Sequence, residues 1–178
     1  MSIAVNIQAA LGKFRSESGS FAVEAALVAP ALIFFVMLAI NFGMAYNMRL
    51  QLVTAAGAGV AYAQNNPDSA SSSNFAQYAA NITTVAQNSA NFGSTPVKVA
   101  VSVNNTPDGS AADDSYCVKG SPPTWTKATG TSTDCGSGVT PGKFVTLTLS
   151  ATVTSIFPTD GIVGTFIPLR EKIIARVQ

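Results

Sequence analysis

From Ala25 to Met48 the chain carries no charged residue: AALVAPALIFFVMLAINFGMAYNM, 24 residues in all. As a helix this run is about 36 Å long, at about 1.5 Å per residue. A bilayer core of about 30 Å needs about 20 residues, so the run predicts a membrane-spanning helix with some tilt. Asn41 and Asn47 lie toward its far end, where the interface is expected to begin. Tyr46 and Arg49 fit that interface, with a ring and a charge that reach water. Lys13 and Arg15 precede the run. The positive-inside rule therefore predicts a cytoplasmic N-terminus and export of everything after about residue 50. A cleaved secretory signal would have a shorter apolar region, about 7–15 residues, followed by an A-x-A site. The best such triplet, Ala61-Tyr62-Ala63, lies beyond Arg49.

The rest of the chain must then be a modest domain. Of 178 residues only 11% are charged and 47% are hydrophobic, where a soluble domain carries about 25% charged residues. The apolar run explains part of this deficit, and a Ser/Thr/Asn/Gly-rich remainder explains the rest. That texture suits an exported protein. Beyond Arg49 seven Lys and Arg face seven Asp and Glu. No net basic charge is left to neutralise phosphates, which argues against nucleic-acid binding. The chain has no histidine, which removes the usual general base, the Ser-His-Asp triad and most zinc sites. No nucleophile is set beside a base, so the chain reads as a non-enzyme without a cofactor or metal.

Glu24 stands at the N-terminal edge of the apolar run. Taken alone it reads as a first-turn glutamate, favoured by the helix dipole and wetted at the cytoplasmic face. Its surroundings add more. A basic leader, Met1 to Gly19, is followed by four residues, then Glu24, then at once the apolar helix. This resembles the class III signal of type IV pilins, with cleavage after glycine and glutamate at the fifth mature position. More closely, S-G-S-F-A-V-E-A-A-L-V-A-P resembles the TadE-like family of minor pilins from tight-adherence (Tad/Flp) pili. Gly19, Ala22, Val23, Glu24, Ala26, Leu27, Val28 and Pro30 stand at the matching places, and Ala25 departs from the aromatic residue usual there.

The resemblance implies a minor pilin or pseudopilin that supports assembly of a Tad-type pilus for surface adherence. Its partners would be a prepilin peptidase, other pilins, Tad assembly proteins and the membrane. It would sit in a bacterial inner membrane with its C-terminal domain in the periplasm or outside, and it could enter a pilus. The peptidase would cut between Gly19 and Ser20, and the new Ser20 amine would neutralise Glu24 at the rim of the apolar layer. Two rivals stand beside it: a permanently anchored periplasmic binding or scaffold protein, and a type II secretion pseudopilin. Pro30, inside the helix, is either a kink or a tolerated membrane proline.

The pattern past Arg49 predicts an α+β protein. Residues 1–19 form the leader, 20–64 one transmembrane and protruding helix, and 65–178 the exported domain. Ala55-Ala56-Gly57-Ala58-Gly59 permits close helix approach, and Asn65-Asn66-Pro67-Asp68 ends the helix. Phe75, Tyr78, Ala79, Ile82, Val85 and Ala86 recur at helical spacing, predicting a second helix over about 74–90 that packs on the sheet. Val97, Val99, Val101 and Val103 alternate, as do Val145, Leu147, Leu149, Ala151 and Val153, predicting two half-buried strands. The end, with Ile173, Ala175 and Val177 inward, reads as a third strand of an antiparallel sheet or as a short helix. Ile156-Phe157-Pro158 and Phe166-Ile167-Pro168 are expected to bracket a loop.

Between the first two strands lies a long polar insert, residues 104–142. Its Cys117 and Cys135 are the only cysteines. In an oxidising compartment they are expected to pair; free thiols or half a metal site are the alternatives. Asp108, Asp113 and Asp114 read as solvated loop acids rather than a calcium site, which needs six or more oxygens. Trp125 reads as a lid over the sheet edge or an exposed contact.

Overall fold

The computed structural model describes residues 4–90, 96–128, 135–136, 139–154 and 166–178, with side chains from residue 21 onward except that of Phe166. One helix, α1, runs unbroken from Ala4 to Asn65 with Pro30 inside it. It thus extends through the leader as well as the expected span. Pro67 ends it: the residue before a proline is pushed out of the helical region, and Asn66 has φ −129° and ψ 52°. A 3-10 turn, Pro67–Ser69, leads toward α2, Phe75–Ser89.

The sheet has three antiparallel strands in the order β1 (Lys98–Val103), β4 (Phe144–Thr154), β5 (Phe166–Arg176). β4 is central, pairing Val101 with Leu147 and Leu147 with Ile173. Its Val145, Leu147, Leu149, Ala151 and Val153 are all buried, as their period of two requires. The C-terminal segment is therefore a strand. It begins earlier than expected: Phe166, Ile167 and Pro168 belong to β5, and the other bracketing residues, Ile156 to Pro158, lie outside the described residues. Pro168 is tolerated because β5 is an edge strand, where a missing N–H breaks no ladder.

The inner face of the sheet is covered by α1 over β4 and β5 and by α2 over β1. With the half-buried Met48, the buried positions Asn41, Ala45, Leu52, the adjacent pair Ala55 and Ala56, Gly59 and Ala63 follow steps of three or four residues and form one stripe. Gly59 marks the closest approach. A methyl there would lie 2.5 Å from Leu147 Cδ2, 3.4 Å from Ala86 Cβ and 3.5 Å from Ile82 Cγ2. Helix α2 buries Phe75, Tyr78, Ile82 and Ala86 against both α1 and β1, so its apolar face meets the first helix as well as the sheet. Tyr78 Oη donates to the Ala63 carbonyl at 3.0 Å and Asn81 Nδ2 to Tyr62 Oη at 3.0 Å, tying the two helices near the end of α1.

Sheet and helix run side by side in a fixed register. Gln64 Nε2 donates to the Arg176 carbonyl at 3.3 Å, and Lys143 Nζ to the Ala70 carbonyl at 3.3 Å. Gly59 meets Leu147, the partner of Ile173. Gln64 to Gly59 is about 7.5 Å of helix and Arg176 to Ile173 about 10 Å of strand. β5 therefore ascends alongside α1, with its Phe166 end toward the apolar run and its Arg176 end away from it.

The polar insert contains a hairpin that the sequence reading missed. β2, Tyr116–Lys119, pairs with β3, Thr124–Lys127, around Gly120 at φ +81°. Trp125 packs edge-on to Phe144 at 6.0 Å and to Tyr116 at 6.5 Å, covering the first residue of β4. The insert is also pinned by Asn104, which is buried at φ +51°. Its Nδ2 donates to the carbonyls of Ala111 at 2.8 Å and Asp114 at 2.7 Å, and its Oδ1 accepts from the Phe144 N–H at 2.9 Å.

Candidate functional site on the exposed helix

Below the stripe that meets the sheet, α1 is bare. Residues 21–33 are all exposed, with Phe21 at 74% and Leu27 at 77%, and Phe35 remains at 68%. Helix burial begins at Asn41, which is 2% exposed and has an interaction partner. The sequence reading put Asn41 at a membrane interface together with Asn47. Only Asn47 is exposed, where it accepts from Gln51 Nε2 at 2.9 Å. The portion from Phe21 to Ile40, exposed but for the half-buried Phe34, Met37 and Leu38, is 20 residues, or about 30 Å, close to the thickness of a bilayer core. A helix solvated by water would not leave Leu27, Leu32, Ile33 and Phe35 uncovered together. Its length and composition suffice to cross a membrane.

Glu24 sits on this bare helix and is exposed, three residues beyond Phe21 and within one turn of Leu27 and Val28. Gly19 and Ser20 lie on the helical backbone just before it; their side chains are outside the described residues. Gly19 is a weak point in that helix, since glycine costs about 1 kcal/mol against alanine in a helix interior.

Far from this edge, a disulfide joins Cys117 and Cys135, Cα to Cα 5.6 Å. It ties β2 to the descending half of the insert. Lys119 Nζ donates to the Cys135 carbonyl beside it and reaches that of Gly136 at 3.4 Å.

The three insert acids do not converge. Asp108 accepts from the Ser110 N–H at 3.1 Å and hydroxyl at 2.9 Å. Asp113 accepts from the Ser72 hydroxyl and N–H, and Asp114 pairs with Lys127 at 2.7 Å. The Ser110 backbone and side-chain bonds hold Asp108 below the usual carboxylate range, and the Ser72 bonds do the same for Asp113. Among the described residues no group of three His, Cys, Asp or Glu could hold a metal ion.

Fold and site together define an α+β protein in which one long N-terminal helix is exposed and apolar below and a core element above. Residues 19–61 match the family model described as TadE-like protein. The match agrees with the resemblance read from Gly19 to Pro30. The match opens at Gly19, takes in Glu24 and the exposed helix segment, and ends at Ala61, two residues past the buried Gly59. α2, the sheet and the hairpin lie beyond it. No curated protein and no solved structure matches the chain.

Proposed function

We propose that the chain is a minor pilin or pseudopilin of a Tad-type pilus, matured by a prepilin peptidase that cuts between Gly19 and Ser20. The supporting observation is the TadE-like match that starts at Gly19 and runs along a helix bare from Phe21 to Ile40. In this reading residues 1–19 stay in the cytoplasm and are removed, and the domain from residue 65 is exported. The Ser20 amine and the Glu24 carboxylate neutralise each other at the rim of the apolar layer, within one subunit or between two. The bare helix then exchanges lipid for the helices of other pilins. The role is structural and interaction-based, and it requires no catalytic site, cofactor or metal.

Gly19 and Glu24 have separable tasks. A residue without a side chain lets a peptidase cleft close on the backbone, and the weak helix at Gly19 opens at low cost. Glu24 acts only after an amine exists to meet it. The test is co-expression with the cognate peptidase and sequencing of the mature N-terminus. The expected start is Ser20-Phe21-Ala22-Val23-Glu24. Gly19→Val is expected to stay full length and anchored, whereas Glu24→Ala is expected to be cut yet fail to support pili. A wild-type chain left uncut by an active cognate peptidase would overturn the pilin reading in favour of a permanent anchor.

A further inference from the structure

The two edges of the sheet are not equally open. The Val177 N–H donates to the Lys143 carbonyl at 2.9 Å, and this pair continues the register of Val145 with Ala175 and Leu147 with Ile173. Odd-numbered residues of β5 therefore turn their backbone groups toward β4, and even-numbered ones turn theirs outward. The Arg176 carbonyl follows that rule, accepting from Gln64 Nε2 at 3.3 Å. Arg170, Lys172 and Ile174 likewise point N–H and C=O away from the sheet, and no described residue bonds to these groups. Arg170 to Ile174 is about 14 Å of strand.

The opposite edge, along β1, is closed at both ends. The Val97 carbonyl accepts from Gln87 Nε2 at 3.0 Å, and Val103 exchanges both backbone bonds with Thr106, at 3.1 and 2.9 Å. Only Val99 and Val101 are left between them. The β5 edge is limited by the bonded carbonyl of Arg176 above and by Pro168, which has no N–H, below.

Side chains decide what can pair with the open edge. The even-numbered residues of β5 share one face, so Arg170, Lys172 and Arg176 stand in a file beside the open backbone groups. Arg170 and Lys172 are exposed and enter no ion pair among the described residues. Lys98 of β1 stands in the same row as Arg170, with Ser150 between them. The three strands hold a single carboxylate, Glu171, which takes an inner-face position beside Leu149. Two β5 edges brought together would set cation against cation, which destabilises a strand pair, so this edge resists a second copy of itself. Among the described residues no strand of this chain carries the acids that would satisfy it.

We propose that the open edge of β5 docks an extended segment of a partner protein, which joins the sheet as a fourth strand and carries acidic side chains at alternate positions. Backbone bonds to Arg170, Lys172 and Ile174 hold the segment, as in other strand additions to a sheet edge. Its carboxylates meet Arg170 and Lys172, and the residues between them are apolar and turn toward the half-buried Leu169 and Ile173. The contact uses the sheet alone and does not depend on cleavage at Gly19.

The probe is a capped, fluorescein-labelled heptapeptide that alternates glutamate and valine, titrated against the full chain in uncharged detergent micelles and read by anisotropy. It is expected to bind, with the lysine–valine counterpart at least about tenfold weaker because its charges repel those of β5. Backbone N-methylation of the peptide, which removes its donors, should abolish binding. Amide exchange followed by NMR should slow at Arg170, Lys172 and Ile174 when the peptide is added and stay unchanged at Val99 and Val101. Arg170→Glu combined with Lys172→Glu should invert the preference, so that the lysine–valine peptide binds and the glutamate–valine peptide does not. A glutamate–valine peptide that fails to bind the wild-type chain would overturn the proposal. So would equal binding of its N-methylated form, which would leave charge alone at work, or slowed exchange at β1 in place of β5.

Discussion

Gly57 and Gly59 lie two residues apart on α1 and face opposite surroundings, so the same substitution at each isolates the packing of the core. Replacing a mid-helix glycine by alanine gains about 1 kcal/mol of helix propensity at either place. At Gly57 an added methyl meets nothing within 4 Å. At Gly59 it meets Leu147 Cδ2 at 2.5 Å. Leu147 is fully buried between Val101 and Ile173 on the central strand, so it yields only by moving core neighbours. Overpacking of that kind costs about 1–3 kcal/mol. Gly57→Ala should therefore stabilise by about 1 kcal/mol, whereas Gly59→Ala should come out neutral to about 2 kcal/mol destabilised once propensity and overpacking are combined. Urea unfolding of the full chain in detergent micelles measures both, with Trp125, the one tryptophan, reporting through its contact with Phe144. Equal stabilisation by both substitutions would refute a close three-way contact among α1, α2 and β4.

Other expectations follow from the same contacts. Asn104→Ala should cost about 3 kcal/mol, since it strands the carbonyls of Ala111 and Asp114 and the Phe144 N–H; Asn104→Gly, which keeps the positive φ, should recover only part of the loss in the same urea assay. Replacing both Cys117 and Cys135 by serine should lower stability by about 3 kcal/mol for a loop closed over 18 residues; non-reducing peptide mapping of protein from cells should find the two linked, and freely alkylated thiols would reject the bond. Burial, with the neighbouring Tyr62 charge, pushes the Tyr78 hydroxyl up to about 12 from an ordinary 10.0. The folded state thus favours its protonated form, so this stabilisation is complete below pH 10 and is lost as pH rises toward about 12. Tyr78→Phe should flatten the alkaline limb of the stability profile in that window.

What was legible in the sequence depended on how far local pattern agreed with final environment. β1 and β4 alternate cleanly because one face of each meets a helix, α2 for β1 and α1 for β4, and the other is largely polar. β5 alternates poorly because Glu171 takes an inner-face register position beside Leu149, while Ile174 takes an outer one beside Thr146. The β2–β3 hairpin was hidden because its strands have four residues each and are held by contacts distant in sequence: a disulfide and an indole on Phe144. Gly19, Ser20 and Glu24 were legible as a motif, but Asn41 was not legible as a buried residue. An asparagine near the end of an apolar run looks the same whether it meets headgroups or the interior of a domain. The face that burial begins on emerges only when Asn41, Ala45, Leu52 and Gly59 are seen to share a stripe.

The unbroken course of α1 from the bare segment into the core has a mechanical meaning. A domain on a flexible tether samples a hemisphere above its membrane and feels no torque from below. Here no hinge separates the apolar segment from the stripe under β4 and β5. The helix is a drive shaft keyed to the sheet: a pull or a twist applied near residue 21 travels along one continuous helix to Gly59, which meets Leu147 of β4. Anything that draws this helix along its axis must carry the whole domain with it, and resistance met by the domain returns undamped to the segment below.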